Sequence, residues 1–81
     1  MPRKCGDLTL ECESQSGGDH HWYHRGSGGW RFEYRESRDL WADIADASVR
    51  VLDGQGQAAE DRAVPGEDEA GQVFASYGEH W

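Results

Sequence analysis

The chain has 81 residues, of which 30% are charged and 36% are hydrophobic, and its formal net charge at pH 7 is -8. The length excludes more than one domain, and 11% aromatic residues with four tryptophans exclude a wholly disordered acidic tail, because large apolar side chains provide the burial that disordered chains lack. An excess of negative charge repels nucleic acid and anionic membranes, and it attracts basic protein surfaces.

The first half of the chain predicts a three-stranded antiparallel meander. In Leu8–Cys12 apolar and polar residues alternate with the period of two that a half-buried strand shows. The alternation is stronger in Trp30–Arg35, where each aromatic residue is followed by a charged one. His20–His24 is rich in strand-favouring residues, and the glycines of Arg25–Gly29 are suited to a hairpin loop.

The expected register of this hairpin pairs His24 with Trp30 and therefore Trp22 with Phe32. All four side chains then lie on one face, which becomes a nearly all-aromatic core face. Polar side chains occupy the other face, as is common for an antiparallel sheet with one side in water.

Residues after Ser37 are predicted to form an amphipathic helix from about Arg38 to about Leu52. Ser37 is a suitable N-cap, and Asp39 lies in the first turn, where negative charge is favourable. The weak point is Ser48–Val51, where β-branched residues favour a short strand instead. A helix here packs on the aromatic face and gives a small α+β domain. The apolar residues at helical spacing are Leu40, Trp41, Ile44, Ala47 and Val51.

The last part of the chain offers fewer large apolar residues. Residues 54–72 are rich in glycine, glutamine, alanine and acids, and we interpret them as a loop or mobile acidic linker within a single domain of residues 1–81. From residue 67 an acidic first turn favours a short C-terminal helix, and the alternation that follows it fits a strand almost equally well.

The negative charge is concentrated in the second half of the chain. Residues 1–38 are formally neutral, so residues 39–81 carry the whole net charge of -8. On the predicted helix one stripe of carboxylates is interrupted only by Arg50 and comprises Asp39, Asp43, Asp46 and Asp53. Consecutive carboxylates lie roughly 5 to 6 Å apart along the axis, which is comparable with phosphate spacing in nucleic acid. The competing interpretation is a solvated helix face. The candidate partner-binding residues are Asp39, Asp43, Asp46, Asp53, Glu60, Asp61, Glu67, Asp68 and Glu69.

Cysteines and histidines form a second candidate site, because thiolate and imidazole are the usual zinc ligands. The alternative metal site comprises Cys5, Cys12, His20 and His24. The cysteines are separated by six residues and form no C-x-x-C pair, so the pattern matches no common zinc finger. In the competing interpretation the histidines edge the aromatic face and Cys12 is a small buried hydrophobe. Catalysis by a cysteine and a histidine is disfavoured, because the chain is short for a cleft that excludes water.

The sequence predicts a binding protein that is not an enzyme and needs no cofactor. We expect a small acidic inhibitor that occupies a basic, nucleic-acid-binding surface of another protein by steric and electrostatic competition, without itself binding nucleic acid or membrane. In size and charge alone it is similar to acidic inhibitors of phages and mobile elements, such as anti-CRISPR and anti-restriction proteins.

The alternative is a small zinc-stabilised Cys/His interaction module. No apolar run near the start of the chain resembles a signal peptide, so we expect a cytoplasmic protein. Homodimerisation is a further way to stabilise so small a domain.

Overall fold

The computed structural model describes all 81 residues and contains one six-stranded antiparallel sheet. Each strand pairs with its neighbour in chain order, and the sheet curls into a half-barrel around one short helix. Single 3₁₀ turns precede β4 and follow the helix. The elements are β1 (Arg3–Cys5), β2 (Leu8–Ser16), β3 (Asp19–Arg25), β4 (Arg31–Arg38), β5 (Ile44–Leu52), β6 (Ala58–Ala63) and α1 (Glu67–Ala75), with 3₁₀ turns at Ser27–Gly29 and Gly78–His80.

One face of the sheet is buried because apolar side chains occupy alternate positions of its strands. Phe32 and Tyr34 of β4 and Val51 of β5 are fully buried. The helix covers this face, and Phe74 meets Phe32 edge-on with 5.7 Å between the ring centroids. The other core residues are Cys5, Leu8, Leu10, Trp22, Ala47, Val49, Val64, Ala70 and Val73.

The register of the β3–β4 hairpin differs from the expected one by two residues. Trp22 lies opposite Tyr34, and His24 lies opposite Phe32. Because side chains alternate with a period of two, a shift of two residues leaves every side chain on the same face. The connection runs through Gly28 and Gly29, whose φ values of 61° and 84° lie in the left-handed region that glycine adopts readily.

The predicted helix from Arg38 to Leu52 is wrong. β4 continues to Arg38, residues 39–43 form a tight loop, and β5 begins at Ile44. The buried residues of β5 are every second one, Ala47, Val49 and Val51, which is the period of a strand. Pairing with both β4 and β6 satisfies the backbone of β5, and its valines favour this conformation.

The predicted fold, a three-stranded sheet with an amphipathic helix on its aromatic face, is therefore wrong as well. Three further strands join the meander, and α1 occupies the place expected for the long helix. Within residues 54–72, where composition favoured a loop, the structure has β6 and the first turns of α1. Of the two alternatives for the C-terminal segment the helix is the one present, and it buries Val73 and Phe74 against the sheet.

The helix lies so close to the β1–β2 turn that glycine is required on both sides. A Cβ atom on Gly71 would lie 2.5 Å from the backbone nitrogen of Gly6, which is closer than real Cβ contacts come. Gly6 itself has a φ of 63°. Because glycine has no side chain, the backbone of α1 can pack directly on the β1–β2 turn.

Phe74→Ala is expected to lower the free energy of unfolding by about 3 to 5 kcal/mol, because it leaves a cavity between α1 and β4. Leu40→Ala is the control, because Leu40 is 100% exposed in this structure and would be buried in the predicted helix. It should change the free energy of unfolding by no more than about 0.5 kcal/mol. Urea unfolding followed by circular dichroism measures both. Comparable losses for the two variants would contradict an exposed Leu40 and favour the buried helix.

Candidate functional site

A buried carboxylate organises the end of the sheet next to the β4–β5 loop. The Glu36 side chain is 1% exposed and lies on the core face of β4. The Tyr34 hydroxyl donates to its Oε2 at 2.7 Å, Arg3 Nη1 donates to Oε1 at 3.0 Å, and Arg38 Nε donates to Oε1 at 2.9 Å. Burial by itself raises the pKa of Glu36, but these donors outweigh it and hold the pKa below its usual value. Glu36 is therefore ionised in the folded protein.

Arg3 extends this network from the sheet to the helix. Its Nε donates to Glu67 Oε2 at 2.8 Å, in the first turn of α1. Its guanidinium also lies over the rings of Trp22 and Tyr34, 4.7 and 5.6 Å from their centroids. One side chain thus joins β1, β3, β4 and α1.

Three segments that carry acids meet at this end of the molecule: the β2–β3 turn with the first residue of β3, the β4–β5 loop with the start of β5, and the start of α1. The Arg38 N–H donates to the Gly18 carbonyl at 2.9 Å, which joins the first two segments. Ile44 and Glu67 line one shallow hollow together with both arginines, which joins the loop to the helix. We call the acids of these segments the acidic end: Asp19, Asp39, Asp43, Asp46, Glu67, Asp68 and Glu69.

The β4–β5 loop is held in one conformation by its own polar groups. Asp39 Oδ1 accepts hydrogen bonds from the N–H groups of Trp41 at 2.9 Å and Asp43 at 3.0 Å. Arg38 Nη1 donates to the Ala42 carbonyl at 2.8 Å. Ala42 has a φ of 62°, a conformation that residues with a side chain seldom adopt. The loop is therefore ordered by specific bonds although it is exposed.

The same loop carries large apolar side chains in solvent. Leu40 is 100% exposed, Trp41 is 83% exposed and Ile44 at the start of β5 is 39% exposed. We call these three residues the loop tip. The sequence placed them in the apolar stripe of a helix and so missed their exposure. The available signal was the aspartate before Leu40 and Trp41, since aspartate commonly begins a turn by accepting bonds from the backbone ahead of it.

The remaining predicted acids lie away from this end. Asp53 begins the β5–β6 turn, where its Oδ1 accepts hydrogen bonds from two backbone N–H groups at 2.8 and 3.0 Å. Glu60 accepts a bond from the Tyr77 hydroxyl at 3.1 Å, and Asp61 lies 3.6 Å from Arg50 on the polar face. Six of the nine predicted residues lie in the segments of this end, and the structure has no helical stripe of carboxylates. The six are Asp39, Asp43, Asp46, Glu67, Asp68 and Glu69.

The alternative zinc ligands do not converge. Cys5 is buried in the core, and burial raises the pKa of its thiol to about 12. Cys12 lies opposite Trp22 on β2, and His20 stacks on the same tryptophan with 5.3 Å between centroids. His24 Nε2 lies 3.1 Å from a backbone carbonyl oxygen. No group of three cysteine, histidine or acidic side chains is placed to hold a metal ion.

The face of the sheet opposite the core carries a second ionic network. His21 Nδ1 lies 3.1 Å from Glu13 Oε1, and His21 Nε2 lies 3.3 Å from Glu33 Oε1. Arg31 pairs with both glutamates and lies over the ring of Tyr23, 4.5 Å from its centroid. Burial raises the pKa of Glu33, but Arg31 and His21 together hold it below its usual value. Because both His21 nitrogens face glutamates of neighbouring strands, this network ties β2, β3 and β4 together.

Comparisons with known proteins identify no relative: no family model matches the sequence, and no curated protein or solved structure matches it. None of the helices is long and apolar enough to cross a membrane.

Glu36→Gln is expected to lower the free energy of unfolding by about 3 kcal/mol, the lower part of the range for removing one partner of a buried ion pair. Asp68→Asn, at an exposed acid of the same end, is the control and should leave stability nearly unchanged. Urea unfolding at pH 7 measures both. If Glu36→Gln were as stable as the wild type, the buried ion pairs of Glu36 with Arg3 and Arg38 would not contribute to stability.

The pH dependence of stability follows from the direction of the Glu36 shift. Since the folded pKa is depressed, the contribution is complete above the unfolded glutamate pKa of about 4.3 and is lost as the pH falls through the folded value. The wild type should therefore lose stability below about pH 5 more steeply than Glu36→Gln. Unfolding midpoints at pH 7, 5, 4 and 3 measure the difference, and parallel curves would contradict it. Glu33, shifted in the same direction, accounts for slope that remains in the variant.

Proposed function

We propose that this protein is a non-enzymatic binding module that docks its acidic end on a basic surface of another protein. The carrying observation is the convergence of acids from three segments at one end of the molecule. Arg3 and Arg38 share the buried Glu36, so these three groups together carry one net positive charge and offset only a small part of the charge of the seven acids. A concentrated negative field of this kind favours association with positive surfaces.

The acids are presented on a rigid framework, which supports binding without a large ordering cost. Ser37 Oγ donates to Asp19 Oδ1 at 2.7 Å, Asp39 is fixed by the loop, and Arg3 holds Glu67. Groups that are already ordered before association lose less entropy when they bind.

The class of partner that we propose is a nucleic-acid-binding protein, because surfaces rich in lysine and arginine are the usual contacts of phosphate backbones. The domain measures 39 × 21 × 20 Å and would cover such a surface. Competition would then be steric and electrostatic. It requires negative charge at one end and does not require carboxylates at phosphate spacing, since the helical stripe that suggested such spacing is absent.

The test is a charge reversal that leaves the fold intact. Asp43→Lys, Asp68→Lys and Glu69→Lys are combined, because these side chains form no ion pair, whereas Asp39 and Glu67 hold the loop and the helix and are retained. Wild type and variant are used to capture proteins from a nuclease-treated lysate of the source organism. We expect the wild type to retain a basic nucleic-acid-binding protein, to release it as salt rises, and to be displaced by that protein's nucleic acid.

The matched control makes the same change of charge elsewhere, with Asp7→Lys, Glu11→Lys and Glu79→Lys. It should capture the same partner with an affinity closer to that of the wild type, because the acidic end is unchanged. Circular dichroism establishes that both variants are folded. Equal capture by the two variants would reduce the effect to net charge, and the absence of any basic partner with the wild type would overturn the proposal.

A further inference from the structure

The exposed loop tip is unusual for a domain that buries so little. Only 16 of 81 residues are buried, yet Leu40 and Trp41 are 100% and 83% exposed. Scattered apolar side chains on a surface need no explanation, but here two adjacent residues of one loop are both large, apolar and exposed, and the partly exposed Ile44 follows in the sequence. Tryptophan is also the residue type most enriched among those that dominate protein–protein binding.

The tip is also preorganised. Asp39 fixes the backbone at Trp41 and Asp43, and Arg38 fixes the carbonyl of Ala42. The left-handed backbone of Ala42 costs conformational free energy, and the hydrogen bonds around it offset this cost. A loop that is fixed before binding presents its side chains at a smaller entropic cost than a mobile one.

We infer that the loop tip is the apolar anchor of the proposed interface and inserts into an apolar pocket on the partner protein that is rimmed by lysine or arginine. This inference rests on the proposed function, and it adds a contribution that salt does not screen. The rim follows from charge complementarity: Asp39 precedes Leu40, and Asp43 lies between Trp41 and Ile44, so a pocket that accepts Trp41 brings its edge near these carboxylates.

Other possible binding partners for an exposed apolar tip fit the neighbouring charges less well. A second copy of the chain would bring two acidic ends together, and like charges at close range oppose association. An anionic membrane surface would likewise repel the carboxylates around the tip. A basic protein with an apolar pocket satisfies both the side chains of the tip and the acids beside them.

The experiment uses the purified basic partner identified by capture, and it compares Leu40→Ala/Trp41→Ala with the conservative pair Leu40→Met/Trp41→Phe. Affinity is measured by calorimetry at several salt concentrations. We expect the alanine pair to weaken binding by about 30-fold, as is typical when central apolar anchors are removed, with an unchanged dependence on salt. The conservative pair should retain most of the affinity. The variant Asp43→Lys/Asp68→Lys/Glu69→Lys should instead weaken the dependence of affinity on salt concentration.

The outcomes separate this inference from the proposed function. If the partner binds the wild type and the alanine pair equally, the anchor is wrong and the acidic docking stands. If the wild type binds no basic protein, both are overturned. Binding of the wild type to anionic phosphatidylserine vesicles, or its dimerisation in sedimentation, with either lost in the alanine pair, would assign the tip to a membrane or to a second copy and contradict the inference.

Discussion

The ionised carboxylate of Glu36 is the constraint on which the rest of the structure depends. A charge at 1% exposure is tolerated because two arginines and a tyrosine hydroxyl satisfy it. Those arginines reach it from β1 and from the end of β4, and one of them continues to the first turn of α1. The buried charge therefore fixes the helix on the sheet, and it offsets one of the two positive charges that these arginines bring to the acidic end.

The division between charge and apolar contact gives the surface two separable properties. Carboxylates from three segments create a field that acts over about a Debye length and weakens with salt. The contact that we infer for the loop tip would act only at short range and depend on shape. Asp39 takes part in both, since it contributes one of the charges and its carboxylate orders the backbone of Trp41.

The strand alternation in the first half of the chain was readable from sequence, and the aromatic face assigned to Trp22 and Phe32 is the buried one. The long helix was wrong because Leu40 and Ile44 fit an apolar stripe that tertiary structure does not use, while Val49 and Val51 carried the strand signal that wins once β4 and β6 pair with β5. The charge excess of the candidate site was visible in composition. The meeting of its segments was not visible, because the topology of six strands, and not the spacing along one helix, brings the start of β5 beside the start of α1.

The order of the strands has a consequence for the way the chain reaches this structure. Every strand pairs with its sequence neighbour, so each hairpin can close over a short loop at a small entropic cost. The contact between Arg3 and Glu67 instead joins residues 64 positions apart. We therefore expect a folding path in which the meander zips up hairpin by hairpin and the union of β1 with α1 comes last, which mutational φ-values near zero at Arg3 and Glu67 would reveal.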